Sequence, residues 1–292
     1  MNIGEKIKKI RTAKLMSQRE LAGSEITRNM LSRIENGAAL PSMGTIHYIA
    51  QRLNVSPGFL LAGEDDELLY FKSSEMSNIK KAYADKNFRL CREMCINSEW
   101  EDDELLLILA ECCARVGAEE FSKGYLRTAA DRFDEALEYC ERTLYNTEMI
   151  ACEIYSYFSY MRMLSPTLSS NVADDERVCE VLALSDSFCV YSTLFCNFED
   201  GDPHSVLMKK YLPEDSSYAL HIEVKELIEC EKYAEAKVLL HKLLFDDAYE
   251  LPEPMLYFIF CDLEICCKET GDFKGAYEYS GNKIALLQKL LA

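Results

Sequence analysis

The sequence predicts an all-α protein, with a head of five short helices over residues 1–63 and an irregular array of longer helices over 64–292. Three observations carry this. Apolar residues recur at intervals of three and four, and no long stretch alternates with period two. Residues that cap helix N-termini, Ser17, Thr27 and Ser56 among them, stand just ahead of the apolar runs. The prolines of the body, at 166, 203, 213, 252 and 254, each mark a break between helices.

The head can be taken in order. Ile3, Ile7 and Ile10 share one face of a first helix, with Lys6, Lys8 and Lys9 between them. Ser17 and Glu20 form a capping box that starts a second helix. Gly23-Ser24 breaks it, and Thr27 caps a third. There Leu31 and Ile34 face inward, while Arg28, Asn29, Ser32 and Arg33 lie towards the other side. Asn36-Gly37 ends the third helix, since glycine enters the left-handed region without a Cβ penalty. After Pro41-Ser42, Ile46, Ile49, Ala50 and Leu53 give the inner stripe of a fourth helix. Ser56-Pro57 opens a fifth, which carries Phe59, Leu60 and Leu61. Five short helices with a tight turn between the second and third make a helix-turn-helix layout.

Charge separates the two parts. The whole chain carries −18, which alone argues against nucleic acid. Residues 1–63, however, hold nine Lys/Arg against four Asp/Glu, so the head is +5 and the remainder −23. A basic head on an acidic body expects different partners for each. The third helix supplies the chemistry for one of them. Arginine can bond a guanine edge in a bidentate way, and asparagine can do the same to adenine in the major groove of double-stranded DNA.

Ser17-Gln-Arg-Glu-Leu-Ala, Leu31-Ser-Arg-Ile-Glu-Asn-Gly, Pro41-Ser and Leu53-Asn-Val-Ser resemble, in this order, the Cro/phage-repressor (XRE) type of DNA-binding domain. The resemblance covers the whole head. It implies that Gln18 contacts the DNA backbone and that Thr27, Arg28, Asn29, Ser32 and Arg33 belong to the recognition surface. Within that surface Arg28, Asn29 and Arg33 read base edges, and Asn36 contacts a phosphate. It also implies that Arg11 and Glu35 form a structural ion pair between the first and third helices.

The body shows a weak internal repeat. Asn87-Phe88 with Cys91, Arg132-Phe133 with Ala136, Lys232-Tyr233 with Ala236, and Asp272-Phe273 with Ala276 each place an aromatic three residues before a small side chain. The pattern is similar to tetratricopeptide (TPR) helix pairs, though longer in period, and implies a curved solenoid whose groove binds a partner. An irregular bundle of helical hairpins is the other reading. One stretch crowds Tyr155, Tyr157, Phe158 and Tyr160 onto several faces of a helix. Such residues suit either a core or a groove for an extended peptide. Tyr157 and Tyr160, with the amide of Asn197, are the candidate peptide contacts.

Other classes find little support. No run approaches the ~18 apolar residues of a membrane span. Met1 to Arg11 alternates Ile with Lys, so no secretory leader is expected and a cytoplasmic setting is. Thirteen cysteines in a helix-patterned chain suit reduced thiols. None stands in the paired C-x₂-C spacing of structural zinc, so no metal or cofactor is expected. Phosphate-loop, H-E-x-x-H and G-x-S-x-G patterns are absent, and no enzyme is expected.

An XRE-like head on a helical-repeat body resembles the Rgg/PlcR-type peptide-pheromone-responsive transcriptional regulators of Gram-positive bacteria. That resemblance implies a homodimer, a short signalling peptide bound by the body, and quorum-sensing control of a promoter. The alternative is a scaffold that the head targets to DNA and whose body binds a folded protein.

Overall fold

The computed structural model describes residues 2–165, 167, 187–196 and 209–292, with the backbone alone described over 64–71. These residues contain fifteen α-helices and no β-strand, as the periodicity predicts. None of the helices is long and apolar enough to cross a membrane. The chain divides into two compact units, Met1–Ala84 and Asp85–Ala292.

The first unit holds α1 (Ile3–Ala13), α2 (Gln18–Ala22), α3 (Arg28–Glu35), α4 (Met43–Leu53), α5 (Pro57–Leu61) and α6 (Glu64–Ala84). The sequence places a seam at Gly63, but the 21-residue α6 that starts there belongs with the head, and the division falls after it. The helix starts are set locally. Asn2 with Glu5 and Ser17 with Glu20 form complete capping boxes, and Thr27, Ser42 and Ser56 each accept a backbone N–H. Ile7, Leu21, Leu31, Ile34, Ile46, Ile49, Leu53 and Leu60 make the core. Burying each such side chain contributes about 1.5–3 kcal/mol. Gly4 lets α1 approach α3, since a Cβ there would lie 2.0 Å from the Ile34 carbonyl oxygen.

The second unit holds α7 (Phe88–Ile96), α8 (Asp103–Ser122), α9 (Leu126–Arg142), α10 (Glu148–Leu164), α11 (Ser187–Cys196), α12 (Ser217–Glu229), α13 (Tyr233–Phe245), α14 (Glu253–Glu269) and α15 (Phe273–Leu291). From α7 onward each packs on the next. The hairpins α8–α9, α12–α13 and α14–α15 share one turn. Gly124, Glu231 and Gly271 adopt left-handed φ of 82°, 58° and 76°. The amides of the next residues, Tyr125, Lys232 and Asp272, donate back to the carbonyls of Glu120, Leu227 and Cys267 at 2.8–3.0 Å. This is the Schellman closure of a helix end. In each hairpin the following helix buries a small residue at its fourth position: Ala129, Ala236 and Ala276.

The turn re-registers one copy of the repeat. Phe133 and Ala136 lie two turns inside α9, and the equivalent positions there are Leu126 and Ala129. The array also turns back on itself. In an open solenoid each repeat touches only its neighbours. Here α14 packs on α8 and α15 on α9, and Arg127 Nη2 donates to the Leu291 carbonyl at 3.0 Å. Gly124 sits at this closure, because a Cβ there would meet Glu253 Oε2 at 2.5 Å and Leu290 Cδ2 at 2.8 Å.

Aromatic rings fill the interior. Tyr157 stacks between Phe133 and Phe188, with centroids 4.9 and 4.4 Å away. Beside them runs a buried polar chain that crosses four helices. Tyr160 Oη lies 3.2 Å from Tyr191 Oη, which lies 2.7 Å from His221 Nδ1. His221 Nε2 lies 3.0 Å from Asp262 Oδ2, and Lys225 Nζ donates to Asp262 Oδ1 at 3.0 Å. Each buried polar group thus has a partner, and their positions are fixed relative to one another.

Candidate nucleic-acid interface

The candidate interface is built around α3. Thr27 Oγ1 accepts from the Met30 amide at 3.1 Å and sets where the helix starts. Leu31, Ile34 and Glu35 are buried, which fixes which side faces out. Arg28, Asn29 and Arg33 are exposed, and Ser32 is half-buried. Asn29 and Arg33 lie four apart, as do Arg28 and Ser32, so the four form two adjoining rows. Neither arginine side chain makes an ion pair or hydrogen bond to another described residue. Their guanidinium groups are open to a ligand.

The buried end of α3 is pinned. Arg11 Nε and Nη2 donate to the two Glu35 carboxylate oxygens at 2.6 and 3.0 Å, and Arg11 Nη1 donates to the Met16 carbonyl at 2.8 Å. Burial pushes the Glu35 carboxyl up. Hydrogen bonds from Arg11 and Gln18, with the charges of Arg11 and Lys8, outweigh that and leave it below the ordinary value. The Arg11 guanidinium is raised in turn, chiefly by its hydrogen bond to Glu35. A bidentate arginine–carboxylate pair fixes orientation as well as distance, so α1 sets the angle of α3.

Gln18 has a partner within the fold as well as the role that the resemblance implies. Its Nε2 donates to Glu35 Oε2 at 2.8 Å, joining α2 to the ion pair. An amide nitrogen has two hydrogens, so one remains for a phosphate. Asn36 caps the C-terminal end of α3 with its side chain exposed. Met30, on the exposed side of the same helix, is a position that sequence reasoning passed over because its chemistry is apolar. A thymine methyl is the base feature that such a side chain meets.

The structure also narrows the basic charge of the head. Lys6 is buried, with Nζ 2.6 Å from the Ala62 carbonyl oxygen. Lys14 donates to the Leu53 carbonyl at 2.5 Å, and Arg52 to that of Glu20 at 2.6 Å. With Arg11, these four hold the fold together. Lys8, Lys9, Arg19, Arg28 and Arg33 are the exposed cations left to face an anionic ligand.

The candidate peptide contacts fare otherwise. Tyr157 and Tyr160 are 4% and 0% exposed, inside the aromatic core. Neither lines an accessible groove, and the expectation that they touch a peptide is corrected. Their neighbours α9, α11 and α14 cover the faces that a single-helix pattern leaves open. Asn197 lies outside the described residues. No group of three or more His, Cys, Asp or Glu among the described residues is arranged to hold a metal ion.

Residues 7–60 match the HTH_3 family model, described as helix-turn-helix. The chain is 34% identical over 85 residues to the HTH-type transcriptional activator BcrR of Enterococcus faecalis. That match covers 28% of this chain and 41% of the relative, so the chain spans less than half the length of the curated protein it matches. Among solved structures, it is similar to Bacillus thuringiensis PlcR in complex with the peptide PapR7 and DNA, at 19% identity over 98% of each chain with a TM-score of 0.29. It is also similar to ComR from S. thermophilus in complex with DNA and its signalling peptide ComS. That likeness has 16% identity over 98% of this chain and 99% of the other, with a TM-score of 0.27.

Proposed function

We propose that this protein is a transcriptional regulator that binds duplex DNA through its head, and that its body dimerises and senses a short signalling peptide. One observation carries the DNA reading: Arg28, Asn29 and Arg33 are exposed on the helix that the Arg11–Glu35 pair holds rigid, within the segment that matches the helix-turn-helix model. In this reading the three side chains meet base edges. Gln18 and Asn36 meet phosphates, and Thr27 and Ser32 shape the surface between them. Residues 64–292 carry −23, which keeps DNA on the head. One small head offers little contact, and two heads tethered in a dimer suit a pseudo-palindromic site. The body's helical-repeat pattern and the resemblance drawn from the sequence motivate the peptide. For it to regulate, it must bind one state of the dimer better than another.

The test starts by selecting a duplex from a random pool with the full chain and measuring binding by gel shift. Specific binding is expected to weaken with salt, log K falling by about 0.9 per phosphate contacted against log salt. Adding short peptides secreted by the producing cell is expected to shift the affinity. Failure to enrich any duplex would refute the DNA reading. Enrichment with no peptide response would refute the sensor reading alone.

A further inference from the structure

Four cysteines meet where α7 packs on α8. Cys91 and Cys95 stand one turn apart on α7, and Cys112 and Cys113 follow each other on α8. They are 0%, 2%, 0% and 0% exposed. A buried cysteine ordinarily serves as a small apolar side chain. These differ because their sulfurs meet one another. The Cys91 thiol is hydrogen-bonded to the thiols of both Cys112 and Cys95. Cys113 has another partner: Arg92 Nε donates to its Sγ at 3.3 Å, and Arg92 pairs in turn with Glu135 at 2.6 Å.

The cluster is chemically uneven. Hydrogen bonds from Cys112 and Cys95 hold the Cys91 thiol below its ordinary value. Cys112 and Cys95 are raised, first by their bond to Cys91 and then by burial. Burial pushes Cys113 up to about 11. The thiolate is the form that attacks, so Cys91 is the reactive sulfur. Geometry selects the thiol that resolves it. Side chains four apart on a helix have Cβ atoms roughly 5–6 Å apart, whereas a disulfide needs about 3.5–4.5 Å. A Cys91–Cys95 bond would therefore unwind α7. Cys112 stands on the facing helix with its thiol already against Cys91, and a bond between them unwinds neither helix.

We propose that Cys91 and Cys112 form a peroxide-reactive dithiol, which closes to a disulfide and pins α7 to α8. The Cys91 thiolate attacks one oxygen of hydrogen peroxide and becomes a sulfenic acid, and the hydroxide released takes up the proton that Cys91 gave. The Cys112 sulfur then attacks the sulfenic sulfur. The S–O bond breaks, and the oxygen leaves as water with the Cys112 proton. Two thiols thus give one disulfide while one peroxide is reduced to two waters. The thiols are closed to solvent in the folded chain, so peroxide reaches them as α7 opens. α7 is the first helix of its unit, and segments at the end of a unit open at lower cost than central ones. The bond then closes that opening. The site stands whether or not the body senses a peptide.

The test exposes the reduced full chain to hydrogen peroxide and then alkylates the remaining thiols. Cleavage after lysine, arginine and glutamate puts Cys91, Cys95 and the Cys112–Cys113 pair on separate peptides. Mass spectrometry is expected to find Cys91 joined to the Cys112–Cys113 peptide, and dithiothreitol to release it. The bond should persist in Cys95→Ser and Cys113→Ser and vanish in Cys112→Ser. Hydrogen exchange on the native chain needs no variant: the amides of α7 should slow by about tenfold or more on oxidation, because exchange runs through opening. Four fully alkylated thiols after peroxide, or Cys91 joined to Cys95, would overturn the pairing. A bond that leaves the exchange of α7 unchanged would overturn the pinning.

Discussion

Exchanging Arg28 and Arg33 together for alanine is expected to weaken binding to the selected duplex by at least about 100-fold, with the helical content unchanged. Each bidentate arginine–guanine pair discriminates by about 1–3 kcal/mol. A hundredfold is about 2.7 kcal/mol, within what two such contacts supply. The fold should survive, because both side chains are exposed and hold no other described residue in place. Glu35→Ala provides the contrast. It touches no DNA in this reading, yet it strips Arg11 and Gln18 of their shared partner. Its effect should therefore appear first as a lower melting temperature, with weaker DNA binding as a consequence. Gel shift and circular dichroism on the same samples separate the two. Full affinity in the double arginine variant would remove the base-reading role from α3.

The second large effect is expected at Asp262. Its carboxylate is 1% exposed and serves both His221 and Lys225. Removing one partner of a buried charged network costs about 3–5 kcal/mol, because the other partners are left desolvated without compensation. Asp262→Ala should thus destabilise the body by that amount in urea unfolding. Asp262→Asn, which keeps an acceptor, should cost less. Burial pushes this carboxyl up, but the hydrogen bond and charge of His221 and the charge of Lys225 outweigh burial and hold it below the ordinary aspartate value. Since the folded value lies below the unfolded one, the contribution is complete above roughly pH 4, the unfolded range. It is lost only as the pH falls further, through the folded value. An alanine variant as stable as the native chain at pH 7 would mean that the chain from Tyr160 to Lys225 holds nothing together.

How much of this was legible in advance divides by distance along the chain. The capped starts of the short helices, the exposed row of α3 and the inward stripe of α4 follow from residues three or four apart, and the structure keeps them. The repeat was only half legible. In α9 the aromatic-then-small pattern falls on Phe133 and Ala136, whereas the turn puts Leu126 and Ala129 in the equivalent positions, and that turn is marked by glycine at 124 and 271 but by glutamate at 231. The Arg11–Glu35 pair followed from the resemblance alone, and Lys6, Lys14 and Arg52 looked like surface charge. Lys6, Arg11, Lys14 and Arg52 find carbonyls or a carboxylate between 5 and 56 positions away, which no local pattern reports.

The sequence by itself determined that the chain is helical, where many of its helices begin, and which side of α3 meets the solvent, because caps and apolar spacing act within a turn or two. Only the tertiary structure decided that Tyr157 and Tyr160 are core, that the last hairpin returns to α8 and α9, and that His221 and Asp262 meet. Those outcomes depend on which helices arrive to cover a face, and burial of that kind is settled by packing between segments far apart in the chain.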